Sequence, residues 1–311
     1  MKKIIITFIY LSIITAFTAC KKDPPNNPDD PNNPNDETIF VSKTAANKNV
    51  LLEDFTGINC LFCPDGHKIA DEIASLYPDH FFHINIHAGN FARDTFTTIE
   101  GTALDNIFNK KYNSSGGLFK AYPQACINRE LIKETDTAAA AYVLSRKFWN
   151  GIVSQLLSET SYVNVAAKTS INKSTRKLTC KVQAYFTANS DVAEGKNYIN
   201  IALTQSNIWG PQKYGETFYP AMYDASTGLY KHNHMLRAYI TGLSGESMQK
   251  NTSGTLYEKT FTYDIPAKIN IADVVLEDVN VIVFVTENTP NDAATSGTKI
   301  VTVCESSITL E

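Results

Sequence analysis

The chain has 311 residues, 43% of them hydrophobic and 11% aromatic, and a formal net charge of −4. This is the composition of an ordinary folded protein, with enough length for two domains. It holds no basic block, so the sequence gives no support to a nucleic-acid partner.

Taken in order, residues 1–19 read as a leader rather than as fold. Lys2 and Lys3 precede an apolar run from Ile4 to Ile14. That run is shorter than the roughly 20 residues a membrane span needs. It ends in Ala16-Phe17-Thr18-Ala19-Cys20. Small residues before a cysteine look like a bacterial lipobox, with Phe17 in place of the usual leucine. Cys20 is then the lipidated N-terminus of the mature protein; the alternative is an ordinary signal peptide cut nearby. Both send the protein out of the cytoplasm. More than one acyl chain on Cys20 would suffice for stable membrane anchoring. Residues 20–38 continue as a Pro/Asn/Asp-rich tether. Lys21–Asn35 contains five prolines and no apolar residue. At about 3.1 Å per residue it reaches about 45 Å and cannot pack a core.

The next stretch, Val50–Ile73, reads VLLEDFTGINCLFCPDGHKIADEI. Val50, Leu51, Leu52 and Phe55 form a short apolar run stopped by Gly57, the pattern of a strand buried on both faces. From Pro64 the spacing becomes helical through Ile69, Ile73 and Leu76. Pro64 and Asp65 suit a first helical turn. Cys60 therefore falls near a helix N-terminus, where free N–H groups and the dipole favour a thiolate. Cys63 follows at disulfide distance. The pair can perform thiol–disulfide exchange, with Cys60 attacking and Cys63 resolving. It can equally stay closed as a structural disulfide in an oxidising compartment.

These residues resemble the thioredoxin superfamily: EDF, a gap, CxxCP, then a helix. His83–Ile86 looks like the next strand of that fold. Tyr122-Pro123 before Gln124–Ile127 looks like its cis-proline loop. The resemblance implies that Asp54 is the buried acid that moves the proton of the resolving thiol, and that Pro123 helps hold an extended peptide. Asn59 replaces the usual tryptophan, and Leu61-Phe62 the usual small or polar middle pair. This part is expected over 39–160, with a helical insertion at about 91–120 that ends in Ser114-Ser115-Gly116-Gly117. Asp136–Ser158 reads as one long helix, favoured by Ala138–Ala141.

From Tyr162 the period becomes two. Tyr162–Val165, Leu178–Phe186, Tyr198–Leu203, Leu256–Tyr263, Val279–Val285 and Lys299–Cys304 read as strands separated by turns. Such spacing predicts an all-β immunoglobulin-like sandwich over 161–311. The fold class expected is thus an α/β thioredoxin-like domain followed by that sandwich. Ser206–Asn233 interrupts the strands and carries Trp209, Tyr214, Phe218, Tyr219, Tyr223 and Tyr230. Long loops are commonly functional, so these aromatics are a candidate binding loop; alternatively they cover the sandwich edge or a junction.

Past that loop lies Tyr230-Lys231-His232-Asn233-His234-Met235-Leu236-Arg237. With Gly57–Pro64, Tyr122-Pro123 and Ile127-Asn128-Arg129, it makes the whole mature chain resemble the Omp-twenty-eight-related outer-membrane lipoproteins of Bacteroidetes-type bacteria. The resemblance implies an outer-membrane lipoprotein on the cell surface or periplasmic face, without a settled activity.

His83 and His87 share one face of a strand, and hydrogen-bonded structural histidines are expected there. His232 and His234 would share another, about 7 Å apart at about 3.3 Å per residue. No third ligand accompanies either pair, and Cys60, Cys63 and His67 lack a fourth. No metal and no cofactor are therefore expected. Arg129 and Arg237 are expected to pair with acids. Cys126, Cys180 and Cys304 remain, and Cys180 and Cys304 could bridge the sandwich. Two functions fit: a lipid-anchored thiol–disulfide oxidoreductase acting on envelope proteins, or a non-catalytic surface-binding, adhesion or accessory lipoprotein with a structural CxxC. Both imply a membrane contact through the lipid and a protein or peptide partner.

Overall fold

The computed structural model describes residues 39–93, 95–111, 121–287 and 299–311, without the side chains of 109–111. The leader, Cys20, the tether and the Ser114–Gly117 loop lie outside the described residues. The architecture is mixed α/β and strand-rich, with several sheets and few helices. Among the described residues no helix is long and apolar enough to cross a membrane.

The chain enters through β1 (Val50–Thr56), every residue of which is buried. A turn carrying Cys60 leads to α1 (Cys63–Leu76), with Pro64 in its first turn and Asp65 nearby. β2 (Phe81–His87) then lies parallel to β1, from Val50 opposite Phe81 to Thr56 opposite His87. A short helix, α2 (Ile99–Asp105), is capped by the Thr98 hydroxyl, which accepts from the Gly101 N–H. β3 (Gln124–Ile127) returns antiparallel to β1, and β4 (Val143–Ser145) pairs with β3.

That last pairing corrects the long helix expected over 136–158. Only α3 (Trp149–Leu156) is α-helical, preceded by a 3-10 turn at Arg146–Phe148. Val143, Leu144 and Ser145 take ladder positions opposite Cys126, Ala125 and Gln124. Leu144 and Trp149 are buried together, and the Trp149 indole N–H donates to the Leu144 carbonyl at 2.9 Å. Tertiary packing overrides the alanine preference for helix.

The second half supplies β5 (Val163–Asn172), β6 (Lys177–Phe186), β7 (Asn197–Gln205), β8 (Ile208–Gly210), β9 (Tyr223–Asp224), β10 (Leu229–His232), β11 (Met235–Tyr239), β12 (Glu246–Met248), β13 (Leu256–Asp264), β14 (Val279–Glu287), β15 (Lys299–Glu305) and β16 (Ser307–Leu310). One nine-stranded sheet runs through both halves in the order β15-β14-β7-β11-β2-β1-β3-β4, with β12 also on β7. The seam is narrow: β11 meets β2 in parallel through Met235 opposite Asn85, and the Asn85 N–H donates to the His234 carbonyl at 2.8 Å.

Alternation along β14 shows the layering. Val279, Val281, Val283 and Val285 face a core shared with the second sheet, β13-β6-β5-β16, while Ile282 and Phe284 face the opposite core with Leu51, Phe55, Ile84 and Ile86. On the first half, Ala70 and Ile73 of α1 and Trp149 and Val153 of α3 pack on Val50, Leu52 and Phe81. The expected strands of the second half are all present.

Two expected pairings are not made. Cys180 and Cys304 are free thiols, as is Cys126. Among the described residues Arg237 meets no acid; it donates to the Ile269 and Ala272 carbonyls at 2.8 and 3.1 Å. Arg129 does find one, Glu53, at 2.6 Å.

Candidate functional site

Gly57 closes β1 because a Cβ there would lie 2.4 Å from the Phe91 carbonyl carbon. The turn it allows brings the Cys60 N–H onto the Gly57 carbonyl at 3.0 Å. Cys60 and Cys63 form a disulfide with a Cα–Cα distance of 5.4 Å. Pro123 follows a cis peptide bond from Tyr122. It is buried against α1, where a Cβ on Gly66 would come within 2.8 Å of its ring. The structure thus brings Cys60, Cys63 and Pro123 to one end of α1.

The disulfide is covered. Cys60 is 1% exposed and Cys63 is 0%. The segment from 206 to 233 meets this turn; it is ordered into β8, β9, β10, a short helix at Gly215–Phe218 and a 3-10 turn at Pro220–Met222. The Gln212 amide donates to the Cys60 carbonyl at 3.1 Å and the Gly57 carbonyl at 3.4 Å. The Lys213 N–H donates to the Ile58 carbonyl at 2.9 Å. Gln212 carries no sequence signal of this role; only the tertiary fold places it.

The aromatics of that segment divide. Tyr230 is buried and its hydroxyl lies 3.1 Å from His67 Nδ1. Tyr219 donates to Asp71 Oδ2 at 2.8 Å. Tyr223 is half-buried. Trp209 and Tyr214 are 49% and 47% exposed. Phe218 sits 5.2 Å from Phe62 and 6.3 Å from Tyr214, ring to ring, and the Arg146 guanidinium lies 5.2 Å over Phe62. Leu61 and Phe62, the middle pair of the CxxC turn, are 44% and 45% exposed.

Asp54 lies in β1, and among the described residues neither of its oxygens is hydrogen-bonded. Burial drives its carboxyl well above the usual carboxylate range, and Arg146 offsets this only in part. His67 Nε2 is 3.9 Å away but bonded to Thr56 Oγ1 at 2.9 Å. Burial without a hydrogen bond favours the protonated form of Asp54.

A second cluster lies along the seam. Of the six histidines in the chain, five gather here: His67, His83, His87, His232 and His234. His83 and His87 do share a face of β2. His232 and His234 do not share a strand face: His232 ends β10, and His234 turns in the left-handed region at φ 53° before β11. The His83 and His234 rings stand 4.1 Å apart, those of His87 and His232 5.1 Å. Burial holds His67 at about 3, His234 at about 3 and His232 at about 4, and pushes His87 well down. Among the described residues neither His83 nor His87 makes a well-aligned hydrogen bond through its ring, although His83 Nε2 lies 3.2 Å from Asp71 Oδ1. Asp71, His83 and His234 bring one ligand atom each to within 4.8 Å of one another.

The family model for outer membrane protein Omp28 matches residues 105–302, more than half of the chain. The chain belongs to the Omp28 family. No curated protein matches this Omp28-family sequence. Among solved structures it is similar to HBP35 of Porphyromonas gingivalis, at 16% identity and a TM-score of 0.57, over 85% of this chain and 76% of that one. It also aligns with a protein of Agrobacterium tumefaciens, at 12% identity and TM-score 0.49 over 85% and 96% of the two chains. A domain of the outer membrane lipoprotein Omp28 from Porphyromonas gingivalis aligns at 13% identity and TM-score 0.30, over 49% and 91%.

Proposed function

We propose that this Omp28-family protein is an outer-membrane lipoprotein, anchored through Cys20 and held off the lipid by residues 21–38, that binds another envelope protein. In this reading its first half keeps a thioredoxin-like fold as a scaffold and its second half is a β-sandwich. The observation that carries it is the burial of both cysteines, at 1% and 0% exposure, in a turn whose Cys60 carbonyl accepts from Gln212. A working exchange enzyme needs its attacking sulfur within reach of a substrate disulfide. Here both sulfur-bearing residues are buried, and Gln212 from the far half of the chain is bonded to the backbone of their turn. The disulfide then staples the turn.

Binding falls to what the same end of the molecule leaves exposed. Leu61, Phe62 and Tyr214 are exposed there, half-buried Phe218 packs on Phe62 and Tyr214, and the Arg146 guanidinium lies over Phe62; aromatics with arginine are the residues that anchor protein interfaces.

Thiol–disulfide exchange remains the second reading, because Cys60 sits just ahead of the α1 N-terminus. It requires the 206–233 segment to lift. Native-state reduction followed by alkylation tests both. The binding reading expects Cys60 and Cys63 to resist reduction and alkylation until unfolding, with a potential below about −300 mV. Prompt alkylation of native protein, with a potential in the roughly −120 to −270 mV range of oxidoreductases, would overturn it.

A further inference from the structure

We propose that Asp71, His83 and His234 form a binding site for a first-row divalent transition-metal ion of the zinc type, with water completing its shell. The sequence offers His232 and His234 as a pair without a third ligand. The fold divides that pair and gives His234 two other companions, Asp71 from α1 and His83 from β2.

The geometry is close to that of ligands around a shared ion. His83 Nε2 and Asp71 Oδ1 lie 3.2 Å apart, near the roughly 3.3 Å expected of two ligands in a tetrahedral site with bonds of about 2.0–2.1 Å. Apart from that contact, among the described residues neither nitrogen of this ring, 4% exposed, makes a well-aligned hydrogen bond. Buried polar atoms are ordinarily satisfied, so an imidazole without a well-aligned hydrogen bond, set between a carboxylate and a second imidazole, suits a shared ion.

The supporting contacts hold the set in place. Tyr219 donates to Asp71 Oδ2 at 2.8 Å, leaving Oδ1 to face His83; such outer bonds orient metal ligands. The His234 backbone is fixed on both sides: its N–H donates to Ser206 Oγ at 3.1 Å and its carbonyl accepts from the Asn85 N–H at 2.8 Å. A non-glycine residue held at φ 53° is a strained arrangement of the kind found at functional sites. Asp71 and His234 are half-buried, so an ion can enter from solvent. Two imidazoles and one carboxylate suit zinc and its neighbours and not the all-oxygen shells of calcium or magnesium.

The test is calorimetric titration of the chelator-treated, full-length chain with Zn²⁺, paired with the Co²⁺ absorption spectrum. One ion per chain is expected, with Co²⁺ d–d bands and no thiolate charge-transfer band. His83→Gln and His234→Asn should each weaken binding about tenfold or more. Asparagine tolerates the left-handed backbone, so His234→Asn decides the matter should His83→Gln misfold, and its metal-free melting temperature checks that it is folded. His80→Asn, outside the cluster, should bind as the parent does. Absence of stoichiometric uptake, equal affinity in His234→Asn, or a thiolate band would overturn the site.

Discussion

Gln212 donates its side-chain amide to the backbone carbonyl of Cys60 across 3.1 Å, so the second half of the chain latches directly onto the disulfide turn of the first. The contact is polar, buried and about 150 residues distant in sequence. Removing one such hydrogen bond costs about 0.5–1.5 kcal/mol. If opening of this latch limits access, Gln212→Ala speeds reduction of Cys60–Cys63 by dithiothreitol about 2- to 12-fold, the same free energy expressed as a rate. The rate of thiol release from folded protein measures this. An unchanged rate would mean that the 206–233 segment does not guard the disulfide.

Arg129 and Glu53 of the first half form, with Tyr239 of the second, another link between the halves. Both are buried, and the guanidinium donates through Nε and Nη2 to the two carboxylate oxygens at 2.6 Å each. Tyr239, on β11, donates to Glu53 at 2.8 Å and accepts from Arg129 at 3.1 Å. Arg129→Met strands the Glu53 charge and should cost about 3–5 kcal/mol in denaturant unfolding. Glu53→Leu combined with Arg129→Met should recover much of that loss, because it leaves no buried charge unpaired. A double variant as unstable as R129M would assign the cost to lost packing on Phe108 and Phe284 instead.

The local parts of the fold are legible in the sequence and the joints are not. Val50–Phe55, the proline at α1 and the period-two runs from Tyr162 announce their elements because the signal lies within a few residues. Val143–Ser145 misleads, since its strand pairing with Gln124–Cys126 outweighs the local alanines. Gln212, Asp71 and the junction at Asn85 and Met235 carry no pattern of their own; only the closed sheet gives them meaning. The histidines are an intermediate case. Two pairs are plain in the sequence, but the exchange of partners between them depends on the turn at His234.

Gly57 and Gly151 make opposite predictions from the same substitution. A Cβ on Gly57 would lie 2.4 Å from the Phe91 carbonyl carbon and 2.5 Å from the Ala92 nitrogen, both backbone atoms that cannot step aside. Gly57→Ala should therefore cost at least about 1–3 kcal/mol. A Cβ on Gly151 meets nothing within 4 Å, and the residue sits in α3. Gly151→Ala should add about 0.5–1 kcal/mol, the helix preference for alanine over glycine. Chemical denaturation of the two variants checks both signs.

Asp54 gives a pH signature. Its folded value lies well above the ordinary one because burial disfavours the charge, with Arg146 a weaker opposing influence. Its titratable neighbours are His67, Tyr122 and Tyr230, none of which titrates near neutrality. Below the unfolded value of about 3.9 both states hold the proton and Asp54 contributes nothing to the pH dependence. Above it the unfolded chain releases the proton while the native state keeps it, so stability falls as pH rises until the folded value is reached. Asp54→Asn removes that penalty. The variant should match the parent most closely near about pH 4 and gain on it at about pH 6 and about pH 8 in denaturant unfolding. A gain that is the same at all three values would show that Asp54 does not carry a raised value in the folded protein.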